Sequence, residues 1–85
     1  MAKYRKRVVE VEAVRFTGSN HDEVVRFAGE APTVTHGRTR ALGIGTEGGL
    51  RWLDPGDWVL RDEDGLCSVC KPVEFKATYE PCKEG

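Results

Sequence analysis

Apolar and polar positions alternate along this chain in short runs separated by turn formers. Val8 to Phe16 places Val9, Val11 and Ala13 against Glu10, Glu12 and Val14, a period of two that predicts a first strand. The apolar phase shifts at Arg15-Phe16, as a bulge near Val14 would require. Gly18-Ser19-Asn20 breaks the strand, and Ser19 with Asp22, or Asn20 with Glu23, has the spacing of a helix cap. A short helix from about residue 20 to 28 follows, with Val24, Phe27 and Ala28 on one face and Gly29 placed to end it. Thr33-Val34-Thr35 reads as a strand. From Arg38 to Ile44, strand alternation sets Arg38, Arg40, Leu42 and Ile44 on one side and Thr39, Ala41, Gly43 and Gly45 on the other. Glu47-Gly48-Gly49 is a loop, and Leu50 to Leu53 returns as the partner strand.

The densest folding information lies in residues 54–81. Asp54-Pro55-Gly56-Asp57 predicts a β-turn, because proline presets φ at its second position and glycine accepts a positive φ at its third. Trp58 to Arg61 then alternates as a strand. Asp64-Gly65 predicts a type I′ hairpin loop, returning Leu66 to Cys70 antiparallel to it. Lys71-Pro72 ends that strand and opens a single helical turn over residues 72–75, followed by strand character at Ala77 to Glu80 and a stop at Pro81. The fold class predicted is α+β: one small, mostly antiparallel twisted sheet of five or six strands with one packed helix.

Length makes this a single domain spanning residues 1–85, small enough that oligomerisation would help it bury surface. The net charge of −1 argues against a dominant nucleic-acid footprint, yet the charge is uneven. The first forty residues carry eight cations against five acids, and the remainder five against nine. Such polarity suits pairing between copies, so a homo-oligomer is expected, or one basic surface offered to an anion. The basic run Lys3 to Arg7 is too short to predict more than weak DNA binding. No apolar run long enough for a signal peptide or a membrane span is present, and three cysteines, an odd number, read as reduced thiols in a cytoplasm.

Two motifs carry possible chemistry. Gly43-Ile44-Gly45-Thr46-Glu47-Gly48 matches G-x-G-x-x-G, but no helix follows to receive a phosphate, so a hairpin is the better reading. Its glycines would leave a bare strip on one sheet face where a ligand or another backbone could approach. Trp52, beside Arg51, could stack there on a base while arginines meet phosphates. Cys67-Ser68-Val69-Cys70 has C-x-x-C spacing, but on a strand a separation of three sends the thiols to opposite faces and prevents chelation. Cys82, His21 and His36 offer no second pair in sequence, so no metal and no cofactor are predicted. Nothing amounts to a catalytic signature; Asp54 and Asp57 are explained by turn solvation, and Trp58, Phe75 and Tyr79 as core aromatics.

The pattern Pro55-Gly56-Asp57-Trp58, Gly65, Cys70-Lys71-Pro72, Phe75 and Thr78-Tyr79-Glu80, with Tyr4-Arg5-Lys6 and Val9 to Val14 ahead of it, resembles a family of small phage and prophage proteins. The resemblance implies a viral or prophage origin and action in the cytoplasm of a host bacterium; that family has no settled biochemical role. Residues 30–50 lie outside the pattern. The function expected is therefore a non-enzymatic phage-encoded binding protein that sequesters a small anionic ligand, such as a nucleotide defence signal, through Arg38, Arg40, Gly43, Gly45 and Trp52. The alternative is an interaction module that binds and blocks a host protein. An enzyme ranks third.

Overall fold

The computed structural model describes residues 2–3 and 10–82. The predicted opening of the first strand at Val8 and Val9, and all of the basic run after Lys3, lie outside the described residues. Among the described residues eight elements follow in order: β1 (Glu12–Arg15), α1 (His21–Ala28), β2 (Thr33–Thr35), β3 (Leu42–Thr46), β4 (Gly49–Leu53), β5 (Trp58–Arg61), β6 (Cys67–Cys70) and α2 (Pro72–Thr78). The class is α+β, as the sequence predicts. The six strands do not form one sheet, however, but two antiparallel sheets of three, ordered β1-β5-β6 and β2-β3-β4.

Register explains why the core lies between them. On β5, Val59 pairs with Val14 on one side and Val69 on the other, so these three side chains share one face. On β3, Leu42 and Ile44 share the inward face with Leu53 of β4. Val24 and Ala28 of α1, Phe16 and Cys67 complete a single buried cluster with Leu42, Ile44, Leu53 and Val59. Thus α1 and the two sheet faces exclude water from one another in one shared cluster.

Local chemistry fixes the connections. The pairing runs without interruption from Glu12↔Arg61 to Arg15↔Trp58, so the predicted bulge at Val14 is absent. The phase shift is resolved instead by Phe16, which is buried and exchanges backbone bonds with the 54–57 turn: its N–H donates to the Asp57 carbonyl at 2.8 Å and its carbonyl accepts from Gly56 at 2.6 Å. Asn20 caps α1 by position, but its side chain serves the loop before the helix. Its Oδ1 accepts from Thr17 N–H at 2.8 Å, and its Nδ2 donates to the Arg15 carbonyl at 2.8 Å. At the other end of α1, Arg61 Nη1 donates to the Phe27 carbonyl at 2.7 Å with its guanidinium 4.8 Å over the Phe27 ring, satisfying a terminal carbonyl and covering an apolar ring together.

Three further expectations need correction. Arg38 and Arg40 are not on a strand: His36 N–H donates to the Ala41 carbonyl and Arg40 N–H to the His36 carbonyl, at 2.9 and 2.8 Å, closing a turn before β3. The β5–β6 reversal is real but is not type I′. Gly65 has φ of 82°, Asp64 does not share the left-handed region, and Asp62 Oδ1 accepts from both Asp64 and Leu66 N–H at 2.9 and 3.0 Å, so an Asx-stabilised five-residue loop replaces the two-residue one. Finally α2 begins at Pro72 as predicted but continues to Thr78, making Ala77-Thr78 helical. Continuing it stacks Phe75 on Trp58 (centroids 4.0 Å, 9° between planes) and on Tyr79 (5.3 Å, 24°), which overrides the weak strand propensity of that segment.

Candidate functional site

The outer face of β2-β3-β4, opposite the core, gathers most of the residues singled out from sequence. Val34, Gly43 and Trp52 lie in one row across the three strands, and Gly45 and Leu50 in the next. Val34 is 46% exposed and Leu50 and Trp52 are 48% exposed, although each is large and apolar. This is a contiguous patch rather than a scatter, and such patches mark interaction surfaces.

The glycines have a specific purpose in this face. A Cβ on Gly43 would meet Leu50 Cδ1 and Trp52 Cε3, both at 3.2 Å, and one on Gly45 would meet Pro32 Cδ at 3.0 Å. The strip is thus covered from within the chain: Leu50 and Trp52 lie down over β3, and Pro32, whose carbonyl accepts from Gly45 N–H at 2.8 Å, lies over Gly45. The outer surface of this face is a layer of Pro32, Val34, Leu50 and Trp52.

Arg38 and Arg40 stand exposed in the turn that joins β2 to β3, at the end of the sheet nearest the Val34–Gly43–Trp52 row. Side chains brace the turn. Thr39 Oγ1 accepts from Ala41 N–H at 3.2 Å, and His36 Nδ1 lies 3.3 Å from that hydroxyl. Arg40 has φ of 56°, uncommon for a side chain with Cβ, and its carbonyl is held 2.6 Å from Nε2 of His21. His21 is buried beneath, edge-on to Phe16 at 5.2 Å, with Nδ1 unpartnered. Among the described residues no carboxylate pairs with either arginine. The structure therefore brings Arg38, Arg40, Gly43 and Trp52 to one end of the face, with Gly45 a row further on. Sequence reasoning missed Pro32, Val34 and Leu50, although the alternation in Thr33-Val34-Thr35 and Leu50-Arg51-Trp52 carried the signal.

Two other clusters were misjudged or unforeseen. Asp57 is not a solvated turn residue: it is 2% exposed, its Oδ2 accepting from Asp54 N–H at 2.9 Å and from Lys71 Nζ at 3.0 Å. Those hydrogen bonds, to Asp57 first and Asp54 second, hold the Lys71 ammonium above its ordinary pKa. The aromatics Trp58, Phe75 and Tyr79 form a half-buried ladder on the other face of β1-β5-β6, not a core.

Cys67 and Cys70 do sit on β6, opposite Arg61 and Trp58, three residues apart and so on opposite faces. Burial raises the pKa of both thiols, with Asp62 adding to it at Cys67 against Arg61, and Glu74 and Asp57 adding to it at Cys70. Thiols and ammonium all hold their protons more tightly in the folded chain. Their contribution to stability is complete below the ordinary thiol value of 9.0 and drains as pH rises through the raised values. The expected result is a urea midpoint level to about pH 8 that falls toward pH 11, with Cys67→Ser/Cys70→Ser removing the earlier part of the fall.

Among the described residues no helix is long and apolar enough to cross a membrane, and no group of three or more His, Cys, Asp or Glu side chains converges as metal ligands would. Comparison with protein-family models, with curated proteins and with solved structures returns no match for this chain.

Proposed function

We propose that the chain is a non-enzymatic interaction module that docks the outer face of β2-β3-β4 onto a partner protein whose surface is apolar at its centre and acidic at its rim. One observation carries this reading: Val34, Leu50 and Trp52, each about half exposed, lie in neighbouring rows of one outward sheet face. Tryptophan and arginine are the residues that anchor protein interfaces, and Arg38 and Arg40, exposed in the β2–β3 turn at the end of the sheet, supply charge for an acidic rim. In the viral setting suggested by the sequence resemblance, the partner is a host protein that the module blocks.

A second reading has its own support. A half-exposed indole beside a turn with two arginines suits a nucleobase with its phosphates, the sequestration of a nucleotide signal. The two separate cleanly. A photo-crosslinking amino acid placed at residue 52 and expressed in the bacterial host should give one discrete protein adduct that disappears when Leu50 is changed to Lys. A panel of linear and cyclic nucleotides should leave the melting temperature unchanged. A nucleotide that raises it at saturating concentration, with no adduct formed, would replace the first reading by the second.

A further inference from the structure

We propose a second binding site, independent of that face: the cleft between the β3–β4 hairpin and the β5–β6 ribbon takes a free α-amino acid with an apolar side chain, its carboxylate on Arg51 and its ammonium on Asp62. The cleft measures about 340 Å³, at the lower end of the roughly 300 to 1,000 Å³ that small-molecule sites span. Three parts of the fold line it: the β3–β4 hairpin with Arg51, the β5–β6 ribbon with Asp62, and Tyr79 after α2.

The placement of Arg51 supplies the first observation. Arg51 pairs across the ladder with Ile44, and residues directly opposite one another share a sheet face. Ile44 is fully buried in the core, and Leu53, two positions on from Arg51, belongs to the same cluster. Strand β4 thus turns Leu50 and Trp52 outward and sets its one charge on the core side, the reverse of the usual polarity of a strand with one wet face. Arg51 lines the cleft and is exposed there, and among the described residues its guanidinium makes no hydrogen bond or ion pair.

Asp62 supplies the second. Its Oδ1 accepts from Asp64 and Leu66 N–H at 2.9 and 3.0 Å, which fixes the carboxylate in its loop, while Oδ2 has no partner among the described residues. Arg51 and Asp62 line one cleft without pairing with each other, and Glu47 adds a third charge to the lining. These charges select the class of occupant. Two carboxylates repel a simple anion, the guanidinium repels a simple amine, and a dipolar ion satisfies both signs. Leu60, Val69 and Tyr79 give its side chain an apolar wall. Because Arg51 lies on the other side of β4 from Trp52, the site works without the docking face.

Titration of the isotope-labelled full chain with L-leucine, L-methionine or L-phenylalanine, followed by amide NMR, tests this. At least one of them should shift the Arg51, Asp62 and Val69 amides saturably at concentrations up to about 10 mM. The corresponding amino-acid amide, which lacks the carboxylate charge, and the deaminated acid, which lacks the ammonium, should each bind at least about tenfold more weakly. Arg51→Gln should remove the preference for the amino acid over its amide. Asp62→Asn keeps an acceptor for the Asp64 and Leu66 amides and should remove the preference over the deaminated acid. No saturable shift with any of these amino acids, shifts confined to residues away from the cleft, or analogues that bind as tightly as the parent compound would overturn the proposal. The analogue comparison uses the unsubstituted chain, so it decides the matter even where a variant unfolds.

Discussion

Replacing Ile44 with alanine is expected to cost about 3 kcal/mol of stability, and Ile44→Val only about 1 kcal/mol. Ile44 is fully buried on the central strand of β2-β3-β4, in the cluster that also holds Val24 and Ala28 of α1, Val59 of β5 and Cys67 of β6. Truncating it removes the transfer energy of the lost carbons and leaves a cavity that three elements would have to close. A domain of this size has about 5 to 10 kcal/mol to lose, so the alanine variant should melt lower by about 15 °C. Chemical denaturation measures it. A loss below about 1 kcal/mol would mean that the two sheets do not share one core.

Asp57 is the second position of large effect. Its carboxylate accepts from Asp54 N–H and Lys71 Nζ, its own N–H donates to the Asp54 carbonyl, and its carbonyl accepts from Phe16. One residue thereby ties the 54–57 turn to β1 and to the start of α2. Asp57→Ala takes the acceptor from the part-buried Asp54 amide and one carboxylate from Lys71, and is expected to destabilise by about 2 kcal/mol. Asp57→Asn keeps an acceptor for Asp54 N–H but loses the attraction to Lys71, and should fall between wild type and alanine. Equal losses for the two variants would show that the turn amide contributes nothing and the ammonium everything. Trp58 fluorescence should report loosening of α2 in both, because Phe75 stacks on that ring.

How much of this was legible follows from range along the chain. The Asp54-Pro55-Gly56 reversal, α1 and the β3–β4 hairpin depend on residues within a few positions of one another, and each was readable from glycine, proline and alternation. The division into two sheets was not, since it depends on β1 finding β5 across some 45 residues. Asp57 looked like any acid in a turn because Lys71, which helps keep it buried, lies fourteen residues away. Arg38 and Arg40 fitted strand alternation, and only the bonds between His36, Thr39 and Ala41 show that the chain prefers to turn there. Of the candidate face, Trp52 and the glycines were visible as unusual residues. Alternation put Val34 and Leu50 on the face of Trp52, but only the burial of Leu42, Ile44 and Leu53 on the opposite face shows which side is core.

The claim that the outer face of β2-β3-β4 exists for a partner, and not for the fold, is tested most directly by one double variant, Val34→Lys/Leu50→Lys. Both side chains are about half exposed, so the unfolding free energy should stay within about 1 kcal/mol of wild type, while the adduct formed from residue 52 in the host disappears. A stability loss of several kcal/mol, or an adduct formed as efficiently as before, would contradict the account.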